Sequence, residues 1–222
     1  MEGAAQNARA VGQKVLDRFE EKKQGLVVYI AGATGSGIGP YTPKMQVSVI
    51  RPDGTGGRQL TQGDGDRRFP RPSPDGKRIL FVGNDELHVV AIDGRGAKAL
   101  TATKGSKQRP RWSRDGRHIA YEGDDKVCVV DSDGGNLKAL TKEGQSYYPQ
   151  FSADGKKVFF IHGKIGAWDV WSADVASGAT KALTTSGKAG DLVVSGDGTK
   201  LLFTEGGRAV VMSAEGGAAK PV

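Results

Sequence analysis

Residues 69–101, with the sequence FPRPSPDGKRILFVGNDELHVVAIDGRGAKALT, decide the fold because most of the chain repeats this stretch with substitutions. The stretch opens with prolines, turns at Asp75-Gly76, and continues through apolar segments at 79–82, 87–92 and 97–100. Short runs of Ile, Val, Leu and Phe between glycines and aspartates are typical of β-strands, and Asp-Gly pairs supply the positive φ of tight hairpins. We therefore predict that each such unit forms four strands.

The unit recurs with a period of about 40 residues, a length at which self-similarity decides the architecture. An Asp-Gly turn, preceded two residues earlier by a serine, stands in four units at Asp75, Asp115, Asp154 and Asp197. A Leu-Thr pair closes four units, with the threonines at Thr61, Thr101, Thr141 and Thr184. One sheet of this size cannot bury both of its faces alone, so neighbouring sheets must stack around an axis. The sequence predicts an all-β fold, a β-propeller of four-stranded blades.

We predict five blades, preceded by a short extension. The extension is residues 1–25, and the propeller, residues 26–222, divides at about 26–66, 67–106, 107–146, 147–188 and 189–222. A six-bladed propeller that lacks one blade or its closing strand is the alternative. One repeat position is aromatic in every blade, which favours packing between blades; its residues are Tyr29, Phe81, Tyr121, Phe160 and Phe203.

The extension and blade one depart from the repeat. Apolar residues recur at helical spacing in the extension, which predicts an amphipathic helix there: Val11, Val15, Leu16 and Phe19. Segment 31–40, AGATGSGIGP, looks like a phosphate-binding glycine loop, but Pro40, Pro43 and a strand at 46–50 follow where that loop needs a helix. We interpret it as an enlarged hairpin loop. Blade one also has no recognisable opening strand.

The unit at residues 110–141, from Pro110-Arg-Trp-Ser-Arg-Asp-Gly116 to Leu140-Thr141, resembles the repeat of the TolB-type propellers. The resemblance extends over residues 26–222. It implies a six-bladed propeller whose innermost strand of blade one comes from the C-terminus, and this chain shows neither a sixth unit nor that strand. It also implies a periplasmic or other extracytoplasmic location. A cytoplasmic location is the expectation if Met1 is the native start, because residues 1–25 hold no hydrophobic signal-peptide core.

Composition narrows the classes of function. No apolar run is long enough to cross a bilayer. The 32 Lys and Arg against 25 Asp and Glu give a net charge of +7, which favours acidic partners. Nucleic-acid binding would rest on this charge alone, because the two neighbouring tyrosines, Tyr147 and Tyr148, are too few to form a platform on which bases stack. The single cysteine, Cys128, stands in an apolar run and is interpreted as a buried core residue.

No catalytic residue, metal site or cofactor is predicted. The three histidines occupy three different repeat positions, so they are not expected to converge on a metal or a nucleophile: His88, His118 and His162. The aspartates of the Asp-Gly pairs do share one position, but turn formation through side-chain capping explains them without a ligand.

The segments that join one blade to the next carry more cations than acids, together with two tyrosines. Arg and Tyr are frequent anchors of protein interfaces, so we predict a docking surface for a protein with an acidic surface or an extended segment. A solvated basic rim without a partner is the alternative interpretation. The candidate partner-binding residues are Arg67, Arg68, Arg71, Lys107, Arg109, Arg111, Tyr147 and Tyr148.

The predicted function is therefore that of a non-catalytic TolB-like propeller, a scaffold or accessory subunit of a larger assembly. Two alternatives stay open at this stage. One is the propeller domain of a hydrolase or lyase that acts on peptides or glycans, and the other is a basic surface for anionic polymers. The partner's identity and the oligomeric state do not follow from the sequence.

Overall fold

The computed structural model describes residues 25–32, 45–63 and 65–222. Within these ranges the chain forms nineteen β-strands and no helix, so the predicted all-β fold is confirmed. None of the described residues belongs to a helix that could span a membrane. The predicted N-terminal helix and most of the glycine-rich segment 31–40 lie outside the described residues.

The strands form five antiparallel sheets, each built from strands that are consecutive in the chain. Blade one has three strands: β1 (Val27–Gly32), β2 (Met45–Ile50) and β3 (Arg58–Gln59). Blade two has β4 (Arg67–Pro72), β5 (Arg78–Gly83), β6 (Glu86–Ala91) and β7 (Lys98–Ala99). Blade three has β8 (Lys107–Trp112), β9 (His118–Gly123), β10 (Lys126–Asp131) and β11 (Lys138–Ala139).

Blades four and five complete the series. Blade four has β12 (Gln145–Phe151), β13 (Lys157–Lys164), β14 (Ala167–Asp174) and β15 (Thr180–Ala182). Blade five has β16 (Ala189–Val194), β17 (Lys200–Glu205), β18 (Arg208–Ser213) and β19 (Lys220–Pro221). The five predicted units are thus confirmed, and the described part of blade one has no opening strand, as its sequence predicted.

The chain divides into two compact units, one ending at Thr103 with blades one and two, the other beginning at Lys104 with blades three to five. In the first unit, Val28, Val47 and Val49 of blade one pack in one core with blade two. Their partners in blade two are Ile79, Phe81 and Val90. One face of blade one therefore packs against the face of blade two that is turned towards it.

The second unit repeats this packing twice. Ala120 and Val129 of blade three share a core with Phe160 of blade four, and Phe159 of blade four shares another with Phe203 of blade five. Because neighbouring residues of a strand point to opposite faces, Phe159 and Phe160 serve the two different neighbours of blade four. The predicted packing between blades is confirmed for the three aromatic residues that lie in cores shared by two blades: Phe81, Phe160 and Phe203. Tyr121 is buried as well.

The closing threonine of each unit has a structural role that explains its recurrence. Its Oγ1 accepts a hydrogen bond from a backbone N–H on the third repeat strand, at 2.9–3.0 Å in all four units. The outermost strand is only two or three residues long. The side-chain bond therefore extends the ladder where the strand itself has ended. The donor–acceptor pairs are Val47–Thr61, Leu87–Thr101, Val127–Thr141 and Val170–Thr184.

The Ser-x-Asp-Gly turns form one recurring hydrogen-bond motif. In blade five the Ser195 hydroxyl donates to Asp197 Oδ1 at 2.6 Å, and the Thr199 N–H donates to the same oxygen at 3.0 Å. Ser195 Oγ also accepts the Lys200 N–H at 2.9 Å. The glycine that follows has φ of 74°, a conformation that glycine adopts without steric cost. The interpretation of these aspartates as turn-forming residues is confirmed.

One face of blade five differs from its equivalents in the other blades. Leu80 of blade two and Phe159 of blade four are 0% and 1% exposed, respectively. Leu202 stands at the same repeat position and is 42% exposed, and Val193, its cross-strand neighbour, is 52% exposed. The same apolar position therefore contributes much less buried surface in blade five.

This difference predicts unequal costs of truncation. Leu80→Ala should lower the free energy of unfolding by about 2–5 kcal/mol, because it removes buried methyl groups and leaves a cavity. Leu202→Ala should lower it by less than about 1 kcal/mol, as expected of an exposed site. Urea denaturation of both variants measures the two values. Equal losses would contradict the assignment of Leu202 to an uncovered face.

The Asp197 turn predicts a specific pH dependence. The Ser195 hydroxyl and then the Thr199 N–H stabilise the carboxylate and lower the pKa of Asp197 from 3.8 to about 2. Because the folded-state pKa is the lower one, this stabilisation is complete above pH 3.8 and is lost as pH falls towards 2. Asp197→Asn should therefore lower the unfolding temperature at pH 7, and the gap to the native chain should narrow below pH 4. A gap that stays constant down to pH 2 would contradict this.

Candidate partner-binding site

The candidate partner-binding residues lie on the first strands of blades two, three and four, on β4, β8 and β12. Their predicted place in the connecting loops is wrong. The sequence predicts that the first strands begin at the prolines, at 70, 110 and 149, but the strands begin three or four residues earlier. Each first strand pairs with a neighbour on one side only. A strand at the edge of a sheet tolerates proline, since the missing N–H is not needed for the ladder.

Each of these first strands contains a β-bulge that sequence analysis did not predict. The register with the second strand shifts once in blades two to five. At each shift one non-glycine residue adopts positive φ: Phe69 (54°), Arg109 (45°), Tyr148 (58°) and Asp191 (37°). Such a conformation costs about 1–3 kcal/mol and persists only where the surrounding structure imposes it. The bulge is thus a structural feature of these blades, and it turns one side chain of each bulged first strand out of the pleat.

In blade three, the bulge residue Arg109 is held by a buried carboxylate. Its Nη1 donates to Glu122 Oε2 at 2.7 Å, and its guanidinium lies 4.9 Å from the centre of the Tyr148 ring. Glu122 Oε1 accepts the Tyr148 backbone N–H at 2.8 Å. Glu122 therefore joins the bulges of blades three and four.

Glu122 was not among the predicted site residues. The same repeat position holds Val82, Ile161 and Thr204 in the other blades. A carboxylate at an otherwise mostly apolar position of a central strand is the signal that could have identified it. Its side chain is only 6% exposed, so its two hydrogen bonds offset much of the cost of burying the charge.

Arg111 lies two residues beyond the bulge and is half-buried. No carboxylate of the described residues forms an ion pair with it. Burial lowers the pKa of its guanidinium, with the charge of Glu122 acting in the opposite direction. At the same repeat position in blade four, Gln150 Nε2 donates to the Leu192 carbonyl of blade five at 3.2 Å.

The two tyrosines lie on β12 with different partners. The Tyr147 hydroxyl donates to Asp125 Oδ1 at 3.1 Å, and its ring lies 5.5 Å from that of Trp168. Burial raises the pKa of Tyr148, and the nearby Asp191 carboxylate acts in the same direction. Both tyrosines are half-buried, and each has a carboxylate nearby.

The Lys107 side chain is buried and hydrogen-bonded within the structure. Its side chain is almost fully buried, and its Nζ donates to the carbonyls of Gly105 at 2.8 Å and Lys104 at 3.3 Å. These bonds close the loop that leads into blade three. Because its side chain is buried, Lys107 offers almost no surface to a partner.

The arginines of blade two form a separate cluster in the first unit. Arg68 Nη2 pairs with Asp85 Oδ1 at 2.9 Å, and Arg67 Nη2 lies 3.5 Å from the Gln62 carbonyl. Arg67 Nη1 and Arg68 Nε are buried and have no hydrogen-bond partner within the described ranges. Arg71 pairs across the strands with Leu80, beyond the bulge.

The histidines lie on three different strands, each beside a local partner. His88 stacks on Phe81 at 5.3 Å, His118 Nδ1 lies 2.9 Å from Asp131 Oδ1, and His162 Nδ1 lies 2.8 Å from Ser146 Oγ. Burial lowers the pKa values of His88 and His162. In the part of the chain that the structure describes, no three His, Cys, Asp or Glu residues are grouped to hold a metal. Cys128 is buried, and burial raises the pKa of its thiol.

A pocket of about 500 Å³ lies between the outer parts of blades three and four. The rings of His162 and Trp171 meet edge to face at 5.0 Å in its wall. Lys142, Glu143 and Leu140 also line it. The pocket holds none of the predicted partner-binding residues.

The family model described as PD40, TolB beta propeller domain, matches residues 41–220. Among solved structures, a putative TolB from Agrobacterium tumefaciens is 22% identical with a TM-score of 0.63, covering 75% of this chain and 65% of that chain. TolB from Acinetobacter baumannii is 18% identical with a TM-score of 0.66, covering 89% and 52%.

A puromycin-hydrolysing peptidase from Mycobacterium tuberculosis is also similar in fold. It is 19% identical with a TM-score of 0.65, and the match covers 88% of this chain and 35% of the peptidase. This chain thus spans 65% and 52% of the two TolB chains and about a third of the peptidase. No curated protein matches. At these identities the structures show the fold alone.

Proposed function

Because the chain belongs to the TolB β-propeller domain family, whose fold hosts many functions, we propose that it acts as a non-catalytic protein-binding module. It serves as a scaffold or accessory subunit and binds its partner through the first strands of blades three and four. The residues of this surface are Arg109, Arg111, Tyr147 and Tyr148, which we name the first-strand surface. The arginines of blade two are a separate, second candidate contact.

The observation that carries the proposal is the stacked pair of Arg109 and Tyr148, with 4.9 Å between the guanidinium carbon and the ring centre. Arginine and tyrosine are enriched among the residues that dominate interface energies. Both residues occupy strained bulges, and strain of this kind concentrates at functional sites. A side chain that is already ordered loses less conformational entropy when a partner binds.

The chemistry of this surface supports a protein partner over an anionic polymer. Carboxylates lie among its cations, with Glu122 on Arg109, Asp125 on Tyr147 and Asp191 beside Tyr148. A polyanion such as DNA would have to approach these acids as closely as the arginines, which weakens the attraction. A protein can instead place single charges and apolar groups between them.

The non-catalytic part of the proposal is supported by the local partners of the ionisable groups. Glu122 is committed to Arg109 and to a backbone amide, and His162 contacts the buried hydroxyl of Ser146. Catalytic groups need access to a substrate as well as suitable pKa values. Turnover of peptides or oligosaccharides by the purified chain would contradict this part of the proposal.

Charge reversal tests the surface. The double variant Arg109→Glu/Arg111→Glu should weaken capture of the native partner at least about tenfold, because arginine anchors typically contribute 1–2 kcal/mol or more each. The matched control is Arg114→Glu/Arg117→Glu, in the exposed turn of the same blade. Equal capture by the double variant and the native chain, with both folded by circular dichroism, would place the interface elsewhere.

A further inference from the structure

The guanidinium of Arg109 is fixed on two sides. Glu122 holds Nη1, and the Tyr148 ring lies against its face. The backbone of Arg109 is itself confined by the bulge, at φ of 45°. An arginine side chain in water samples many rotamers, so this environment selects one of them. Arg109 therefore presents its remaining N–H groups in one direction.

The remaining donors of Arg109 have no acceptor within the described residues. A guanidinium carries five N–H groups, and Nη1 makes the hydrogen bond to Glu122. The side chain is 36% exposed. An edge of guanidinium with two parallel N–H groups has the geometry that binds a carboxylate through two hydrogen bonds. Exposed donors beside a fixed charge are suited to an incoming acceptor.

Glu122 is the group that creates this arrangement. Its two oxygens serve different strands, one the Arg109 side chain on β8 and the other the Tyr148 amide on β12. Loss of its charge would release the arginine without removing the tyrosine. Among its equivalents in the other blades, Val82 and Ile161 cannot accept a hydrogen bond and Thr204 carries no charge.

The charges around the site, two arginines among the carboxylates of Glu122, Asp125 and Asp191, suit a single carboxylate better than a run of negative charges. Glu122 neutralises Arg109 through its direct bond, whereas Arg111 has no ion pair within the described residues. Asp191 is a further acid close to the Tyr148 side chain. The second arginine therefore contributes a positive charge on the same strand as Arg109.

We propose that Arg109 is a carboxylate-binding site and that Glu122 is its positioning residue. The site takes a single carboxylate of the protein partner, from an Asp or Glu side chain or from a chain terminus. This inference rests on the proposed function and names the chemical group that the first-strand surface recognises. Arg111 strengthens the attraction but does not hold a fixed position through an ion pair.

Nuclear magnetic resonance of the arginine Nε–Hε groups tests the site directly on the whole chain. The probe is an acetylated, amidated pentapeptide with one central glutamate, at millimolar concentration. The Arg109 signal should move downfield and saturate, while the Arg117 signal stays in place. The same peptide with glutamine should produce no shift. A glutamine peptide with a free C-terminal carboxylate distinguishes a chain terminus from a side chain as the source.

Two variants separate positioning from binding. Glu122→Gln keeps the size of the side chain and can still accept the Tyr148 amide, but its amide nitrogen cannot accept from Arg109. We expect about tenfold weaker binding of the glutamate peptide and a broadened Arg109 signal, with an unchanged Tyr148 amide shift. Arg109→Lys, in which binding is followed through the Tyr148 backbone amide signal, should abolish saturable binding. Full affinity in Glu122→Gln would overturn the positioning role, and full affinity in Arg109→Lys would overturn the site.

Peptide binding and capture of the native partner together distinguish a failure of the carboxylate site from a failure of the proposed function. If the glutamate peptide binds at Arg109 but substitution of Arg109 does not change capture of the native partner, the carboxylate site stands and the proposed interface fails. If capture depends on Arg109 and Arg111 but no peptide carboxylate shifts the Arg109 signal, the interface stands and this inference is overturned.

Discussion

The burial of both faces of each sheet is the constraint on which the rest of the structure depends. A four-stranded blade has apolar side chains on both sides, so it is stable only when a neighbouring blade covers each face. Val49 of blade one against Ile79 of blade two, and Phe159 of blade four against Phe203 of blade five, meet this need inside the two units. Among the described residues, Leu202 of blade five stands at the same repeat position as Phe159 and is 42% exposed.

Face-to-face packing also determines where polar chemistry can occur. The faces are occupied by the core, so most polar side chains lie in the turns, the outermost strands and the first strands, and a central-strand carboxylate such as Glu122 needs hydrogen-bond partners. The turns use their polar groups internally, as in the Ser195–Asp197 motif, and the outermost strands are completed by threonines such as Thr184. Among the described strands, the bulges lie on the first strands and turn a residue such as Arg109 or Tyr148 out of the pleat. The proposed site follows from that geometry.

The fold could be predicted from the sequence, whereas the candidate site could be predicted only in part. The Asp-Gly period and the closing Leu-Thr pairs predicted the blades because each has a local hydrogen-bond role, visible at Asp197 and Thr184. Sequence reasoning placed Arg109 in a segment that joins two blades, whereas β8 begins at Lys107 and an edge strand accepts the proline that follows Arg109. The burial of Lys107 and the role of Glu122 depend on contacts across strands, and residue types alone do not reveal such contacts.

Site-specific photo-crosslinking in the native cell tests the central claim most directly, since it asks what touches the first-strand surface without assuming a partner. A photoreactive amino acid would replace Tyr147 on the first strand of blade four, and for comparison Lys138 on the outermost strand of blade three. The account predicts a discrete protein adduct at position 147 that disappears in the Arg109→Glu/Arg111→Glu background, and none at position 138. An adduct at 138 alone, or one at 147 that survives the charge reversal, would contradict it.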